Sequence, residues 1–174
     1  MTEQVLANAR HSLEKHHLPR IQRCFKMLSE TEIWWRPNAV SNSVGNLVLH
    51  LNGNVRQWII AGLGSRPFNR ERDKEFSESG PISRRRLIAQ LNSTVREACR
   101  IVRNLTPERL MRQHAIQGFQ VSGLTALLHV TEHFAFHTGQ IIYVTKQKKR
   151  KDLAFTRLPG DKSKKVRSTK LPTL

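Results

Sequence analysis

Leu127-Leu128-His129-Val130-Thr131-Glu132-His133-Phe134-Ala135-Phe136-His137-Thr138-Gly139-Gln140-Ile141 is the stretch that decides how this chain folds. Its apolar residues recur at helical spacing, and Ser122 offers an N-cap side chain for a helix continuing through Val144 to about Gln147. On a wheel centred on His133, Ala126 and Val144 lie within about 20°, and Val130 and Ile141 within about 80°. The histidines therefore share the face the fold must bury. An unpartnered buried polar side chain costs about 1 to 3 kcal/mol, so several imidazoles on one core stripe require hydrogen bonds or a metal ion. Residues four apart stack with Cβ atoms about 6 Å apart, close enough for two imidazoles to hold one ion. His129 and His137 are about 12 Å apart along the axis, so only one adjacent pair can chelate.

A second helix shows the matching feature. From Val44 to Leu63 the apolar residues Leu47, Leu51, Val55 and Trp58 fall within an arc of about 80°, and His50 and Asn54 lie on that same side. Ser41, Asn42 and Ser43 offer N-caps for it. Two helices thus each place a histidine where a bundle wants an aliphatic residue. Three protein nitrogens with open positions describe a reactive metal site better than a closed structural one. The remaining histidines, His11, His16, His17 and His114, read as packed or exposed. Glu14-x-x-His17 matches half of a di-iron bundle motif, and that chemistry needs two such halves and four glutamates.

The rest of the chain supplies two more helices. Leu6, Leu13, Ile21, Cys24, Phe25 and Leu28 mark a first helix to about Ser29, interrupted at Pro19. A third begins near Ser83 and runs through Leu87, Leu91, Val95, Ala98 and Val102. Arg84, Arg85 and Arg86 sit poorly at its N-terminus, where the helix dipole disfavours cations, and read as solvated surface. Gly62, Gly64 and Pro67 end helix two, and the polar stretch to Pro81 is a long exposed loop of the kind that covers a site. Residues 105–122 are a loop or a short hairpin around Gly118. These elements predict an all-α, four-helix bundle over residues 1–150.

The chain has 174 residues, 38% of them hydrophobic, which is enough for one domain with a real core. Cys24 and Cys99 form neither a disulfide framework nor a thiolate metal site, and a reducing cytoplasm is the expected location. Met1 to Arg10 lacks a basic stretch followed by an apolar one and no run of 18 or more apolar residues appears, so neither a secretion signal nor a membrane span is expected. The net charge is +17. Residues 146–174 carry eleven Lys or Arg against Asp152 and Asp161, so +9 of it falls at the C-terminal end. Residues 151–174 are expected to form a basic tail, disordered beyond Asp152, because so few aliphatic residues cannot offset the entropy of ordering.

The segments Asn42-Ser43-Val44-Gly45-Asn46-Leu47-Val48-Leu49-His50-Leu51, Gly53-Asn54 and His133-Phe134-Ala135-Phe136-His137-Thr138-Gly139-Gln140-Ile141 resemble the DinB-like superfamily of bacterial metal-binding four-helix bundles. The likeness covers about residues 18–147 and includes Trp35-Arg36-Pro37 and the loop Arg70-x-Arg72-x-x-Glu75-Phe76. It implies that His50, His133 and His137 hold a divalent ion, with His129 beside the site or packing against it. Where some members carry His-Arg-Gly-Gln, this chain has His137-Thr138-Gly139-Gln140, so no contact of that arginine carries over. Some relatives resemble thiol S-transferases using mycothiol or bacillithiol, others metal-dependent isomerases or hydrolases.

The leading expectation is a metal-dependent enzyme that transfers a small thiol to an electrophile. Asn54 and Gln140 would serve it by orienting the nucleophile or buttressing a ligand ring. No buried carboxylate stands out as a general base, which favours a thiolate nucleophile. Three imidazoles accept zinc, nickel, iron or manganese, and zinc or nickel is the expected cofactor. The alternative is a non-catalytic metal-binding stress-response protein whose basic tail contacts nucleic acid weakly and without sequence preference. A small-molecule thiol or electrophile and a second copy of the chain in a homodimer are the other partners considered.

Overall fold

Serine side chains set the starts of the bundle helices. Ser43, Ser83 and Ser122 each accept a hydrogen bond from the backbone N–H three residues on, at Asn46, Arg86 and Thr125. The computed structural model describes residues 1–80 and 82–155. The first column is α1 (Thr2–Arg10), a π-helical segment His11–His17, and α2 (Leu18–Met27). Pro19 lies in the first turn of α2, and the wider π turn before it absorbs the misfit of a proline ring in a continuing helix. A short helix α3 (Glu30–Trp34) follows, started by a capping box between Ser29 and Glu32. The second column is α4 (Val44–Val55), continued by a π segment Arg56–Leu63.

The loop after it contains α5 (Arg72–Ser77), then α6 (Arg84–Arg103) forms the third column. Arg84 is not free surface: its Nη1 donates to the Leu28 carbonyl across 2.9 Å, at the end of α2. After α7 (Pro107–Met111), the stretch readable as loop or hairpin is a hairpin. β1 (Gln113–Ile116) pairs antiparallel with β2 (Phe119–Ser122) through Gln117 and Gly118, at φ 55° and 83°. Two positive φ values in a two-residue turn match the right-handed twist of the strands.

The fourth column, α8 (Gly123–Lys149), ends where Arg150 turns left-handed. The chain then folds back: Leu153 is fully buried, and the Phe155 ring lies 5.1 Å from the Arg23 guanidinium. The bundle thus holds the chain past Asp152, where disorder was expected to begin, because Leu153 finds an apolar slot. Of the basic disordered tail expected over residues 151–174, residues 156–174 lie outside the described residues.

The four columns make an all-α four-helix bundle. α6 and α8 each pack against both the first column and α4, so the α4–α8 seam is diagonally opposite the seam between the first column and α6. Fully buried Ile21, Leu51, Leu91 and Phe134, one from each column, show where the core sits. Each such side chain contributes about 1.5 to 3 kcal/mol by leaving water. Among the described residues no helix is long and apolar enough to cross a membrane.

Candidate metal centre

α4 and α8 bring three imidazoles together at their shared seam. His50 on α4 and His133 and His137 on α8 each offer a ring nitrogen, and these atoms lie within 4.8 Å of one another. The Nε2 atoms of His50 and His133 are 2.8 Å apart. The His137 ring is nearly perpendicular to both others, at 87° to His50 and 82° to His133. Two nitrogens bound at about 2.1 Å to a tetrahedral ion sit about 3.4 Å apart, so shifts of about an ångström in the rings give all three a common centre.

Hydrogen bonds behind the rings decide which nitrogen faces inward. The Nδ1–H of His50 donates to Glu75 Oε2 across 2.9 Å, and that of His137 to Gln140 Oε1 across 2.7 Å. In both rings Nε2 is left with its lone pair, and that of His50 faces His133. A carboxylate behind a histidine fixes the tautomer and makes the ring a stronger ligand. The His50–His133 contact is then an N–H···N bond in which His133 donates, and a cation between them would displace that proton.

Protonation favours the same role. Burial, then repulsion from His137 and His50, lowers the His133 pKa to about 3. Burial also lowers His137, against a smaller opposing effect of Gln140. Neutral imidazoles are the form that binds metal.

Glu75 is the residue missed in the sequence, where no buried carboxylate stood out. It sits on α5, inside the loop read as exposed, yet it is 9% exposed. Burial alone would raise its carboxyl, but hydrogen bonds from His50 and Arg70 outweigh burial and hold it below the usual carboxylate range. Arg70 grips both oxygens, Nε to Oε1 at 2.7 Å and Nη2 to Oε2 at 2.8 Å. Arg70 Nη2 also lies 3.2 Å from His50 Nδ1, but a guanidinium only donates and that nitrogen holds a proton for Glu75, so this is contact rather than bonding.

Two further residues clamp the loop. Asn46 Nδ2 donates to the carbonyls of Glu75 and Glu78, at 3.0 and 2.7 Å, and Arg36 Nη2 to that of Phe76 at 2.7 Å. The loop thus covers the site, as its length suggested, and Phe76 places its ring 4.7 Å from that of His50. Gly53 makes the approach feasible: any Cβ there would overlap the Glu75 carboxylate and come within 2.9 Å of Arg70 Nε. The signal was present in Arg70-x-Arg72-x-x-Glu75-Phe76, but charge in a polar loop reads as exposure.

His129 stays outside the cluster of three. Its ring stacks on His133 with centroids 5.4 Å apart and lies tilted against Trp58 at 4.1 Å. Asn54 Nδ2 donates to His129 Nε2 at 3.3 Å, which places Asn54 one residue removed from the ligands. Gln140 touches His137 directly.

The chain matches the family described as "Protein of unknown function (DUF1572)" over residues 1–162, and it belongs to that family. No curated protein matches it. Among solved structures, the DinB-like protein YjoA from Bacillus subtilis superposes with a TM-score of 0.61 at 19% identity, over 90% of this chain and 96% of that one. A DinB-like protein from Bacillus cereus gives 0.62 at 15% identity, over 78% and 87%. A conserved protein from Enterococcus faecalis gives 0.66 at 14% identity, over 80% and 94%. The resemblance read from the sequence holds: the chain has the DinB-like fold.

Proposed function

We propose that this member of the DUF1572 family is a metal-dependent enzyme that binds one divalent ion through His50, His133 and His137 and transfers a low-molecular-weight thiol to an electrophile. The observation that carries the reading is the convergence of three imidazole nitrogens, on rings of which two are oriented from behind by Glu75 and Gln140. A divalent ion in such a site lets a bound thiol or water lose its proton near neutral pH. Zinc or nickel suits three nitrogen donors.

The chain's own residues then divide the work. Arg70 and Glu75 hold His50, and Gln140 holds His137. Phe76 and the loop around it keep water from His50. Both Glu75 oxygens are already engaged, so it positions a ligand and is not free to act as a general base. That favours a nucleophile that needs no base once coordinated, as a thiolate does. Asn54 acts through His129, whose ring supports that of His133. Two buried, unpaired cysteines fit a reducing cytoplasm.

Metal analysis of protein purified without a histidine tag, followed by thiol conjugation assays with a chlorinated aromatic electrophile, tests this reading. About one zinc or nickel per chain and metal-dependent conjugation are expected. Stoichiometric metal without turnover would favour the alternative, a non-catalytic metal-binding stress-response protein whose basic tail contacts nucleic acid. Absence of metal binding would refute both.

A further inference from the structure

The bundle's excess charge is confined to two of its four columns. Residues 1–145 carry +8 of the +17, and all of it falls on Thr2–Met27, at +3, and on α6, at +5. The remaining segments balance, with eight cations and eight anions. Arg85, Arg96, Arg100 and Arg103 are all exposed and fall within one arc of about 60° on α6 at 100° per residue, a row about 27 Å long at 1.5 Å rise.

The row follows the seam between α6 and the first column. Gln22 Nε2 donates to Asn92 Oδ1 across 2.8 Å where the two columns meet. One groove along the seam, about 420 Å³, has Lys26 on one wall and Arg85 on the other. A second, about 360 Å³, is lined by Arg96, Arg100 and Arg103, with Glu14 as the single acidic residue. Lys15, Arg23 and Lys26 add exposed cations from the first column.

We infer that the face formed by the first column and α6 binds the phosphate backbone of double-stranded nucleic acid, independently of the histidine site on the opposite seam. Arginine forks match phosphate oxygens bidentately, and a straight row of about 27 Å spans about eight base pairs at 3.4 Å each. A membrane surface fits less well. Binding there gains most from apolar side chains inserted between cations, and none of the exposed large hydrophobic residues lies on α2 or α6.

The test uses the full-length chain and a fluorescent 20-base-pair DNA duplex of mixed sequence, with anisotropy read across a salt series. Arg85→Gln/Arg96→Gln/Arg103→Gln should weaken binding at least tenfold. It should also lower the slope of log K against log salt by about 2.7, at 0.9 per phosphate contact. Arg66→Gln/Lys74→Gln/Arg112→Gln removes the same charge from exposed positions elsewhere and should change affinity less than threefold. Arg85→Lys/Arg96→Lys/Arg103→Lys should keep most of the binding if the α6 variant is impaired by charge rather than by misfolding, which circular dichroism checks. Equal losses in the two Gln triples would show an effect of net charge alone and overturn the assignment. So would undiminished binding by the α6 variant, or tighter binding to vesicles with 30% phosphatidylglycerol than to the duplex.

Discussion

Glu75 accepts the Nδ1 proton of His50 across 2.9 Å, with both side chains nearly out of water. The two residues come from different elements, and the pairing fixes which His50 nitrogen faces His133. Glu75→Gln keeps the size but removes the charge. Loss of such a partner typically costs 10- to 100-fold in metal affinity, so a similar weakening is expected in a zinc titration against a competing chelator. Unchanged affinity would show that His50 needs no carboxylate behind it.

His137→Ala should abolish metal binding, whereas His129→Ala should leave most of it. The first removes one of three converging nitrogens, the second a ring that packs beside His133 outside that cluster. Metal content of the two purified variants decides between them, and equal losses would mean that His129 is a ligand.

His17 makes stability depend on acid. Burial first, then His16 and Arg20, lowers its pKa to about 4, and its buried Nδ1 has no hydrogen-bond partner among the described residues. The unfolded chain, with a pKa near 6.5, binds the proton first as pH falls. The stability contributed by a neutral His17 is therefore full above about pH 6.5 and is lost progressively toward pH 4. Urea unfolding of His17→Leu over that window should show a shallower loss than the parent, and an identical slope would argue against it.

The thiols should be inert in the native state. Burial pushes Cys99 up to about 11 and raises Cys24 as well, and the thiolate is the reactive form. A disulfide reagent at pH 8 should label neither cysteine on the timescale that completes labelling in guanidinium. Rapid labelling of the folded protein would place a thiol at the surface.

Leu153 brings the chain back onto the bundle after α8. It is fully buried beyond the end of α8, so Leu153→Ala should cost about 2 to 4 kcal/mol in chemical denaturation. Removal of residues 156–174 should leave stability and metal content unchanged. If Leu153→Ala is neutral, the return of the chain onto the bundle contributes nothing.

Much of this was legible in the sequence because it is local. Ser43, Ser83 and Ser122 mark helix starts through bonds made three residues away. The spacing of four in His133 and His137 puts both on one side of α8 whatever α8 packs against. The missed elements depend on distant partners. α5 is only six residues long and would not persist alone, and it is held by Asn46 and Arg36. Arg84 looked like solvated charge until α2 placed the Leu28 carbonyl beside it.

By itself the sequence determined the helical columns, the apolar stripe on each and the histidines set into two of them, because periodicity fixes which side chains share a face. Only the tertiary structure decided the burial of Glu75, the tautomers of His50 and His137, and the diagonal separation of the cationic seam from the imidazoles. Those depend on which columns become neighbours and on Gly53 letting a carboxylate pass, so the physical reason is contact between residues far apart in the chain, about which helical spacing carries no information.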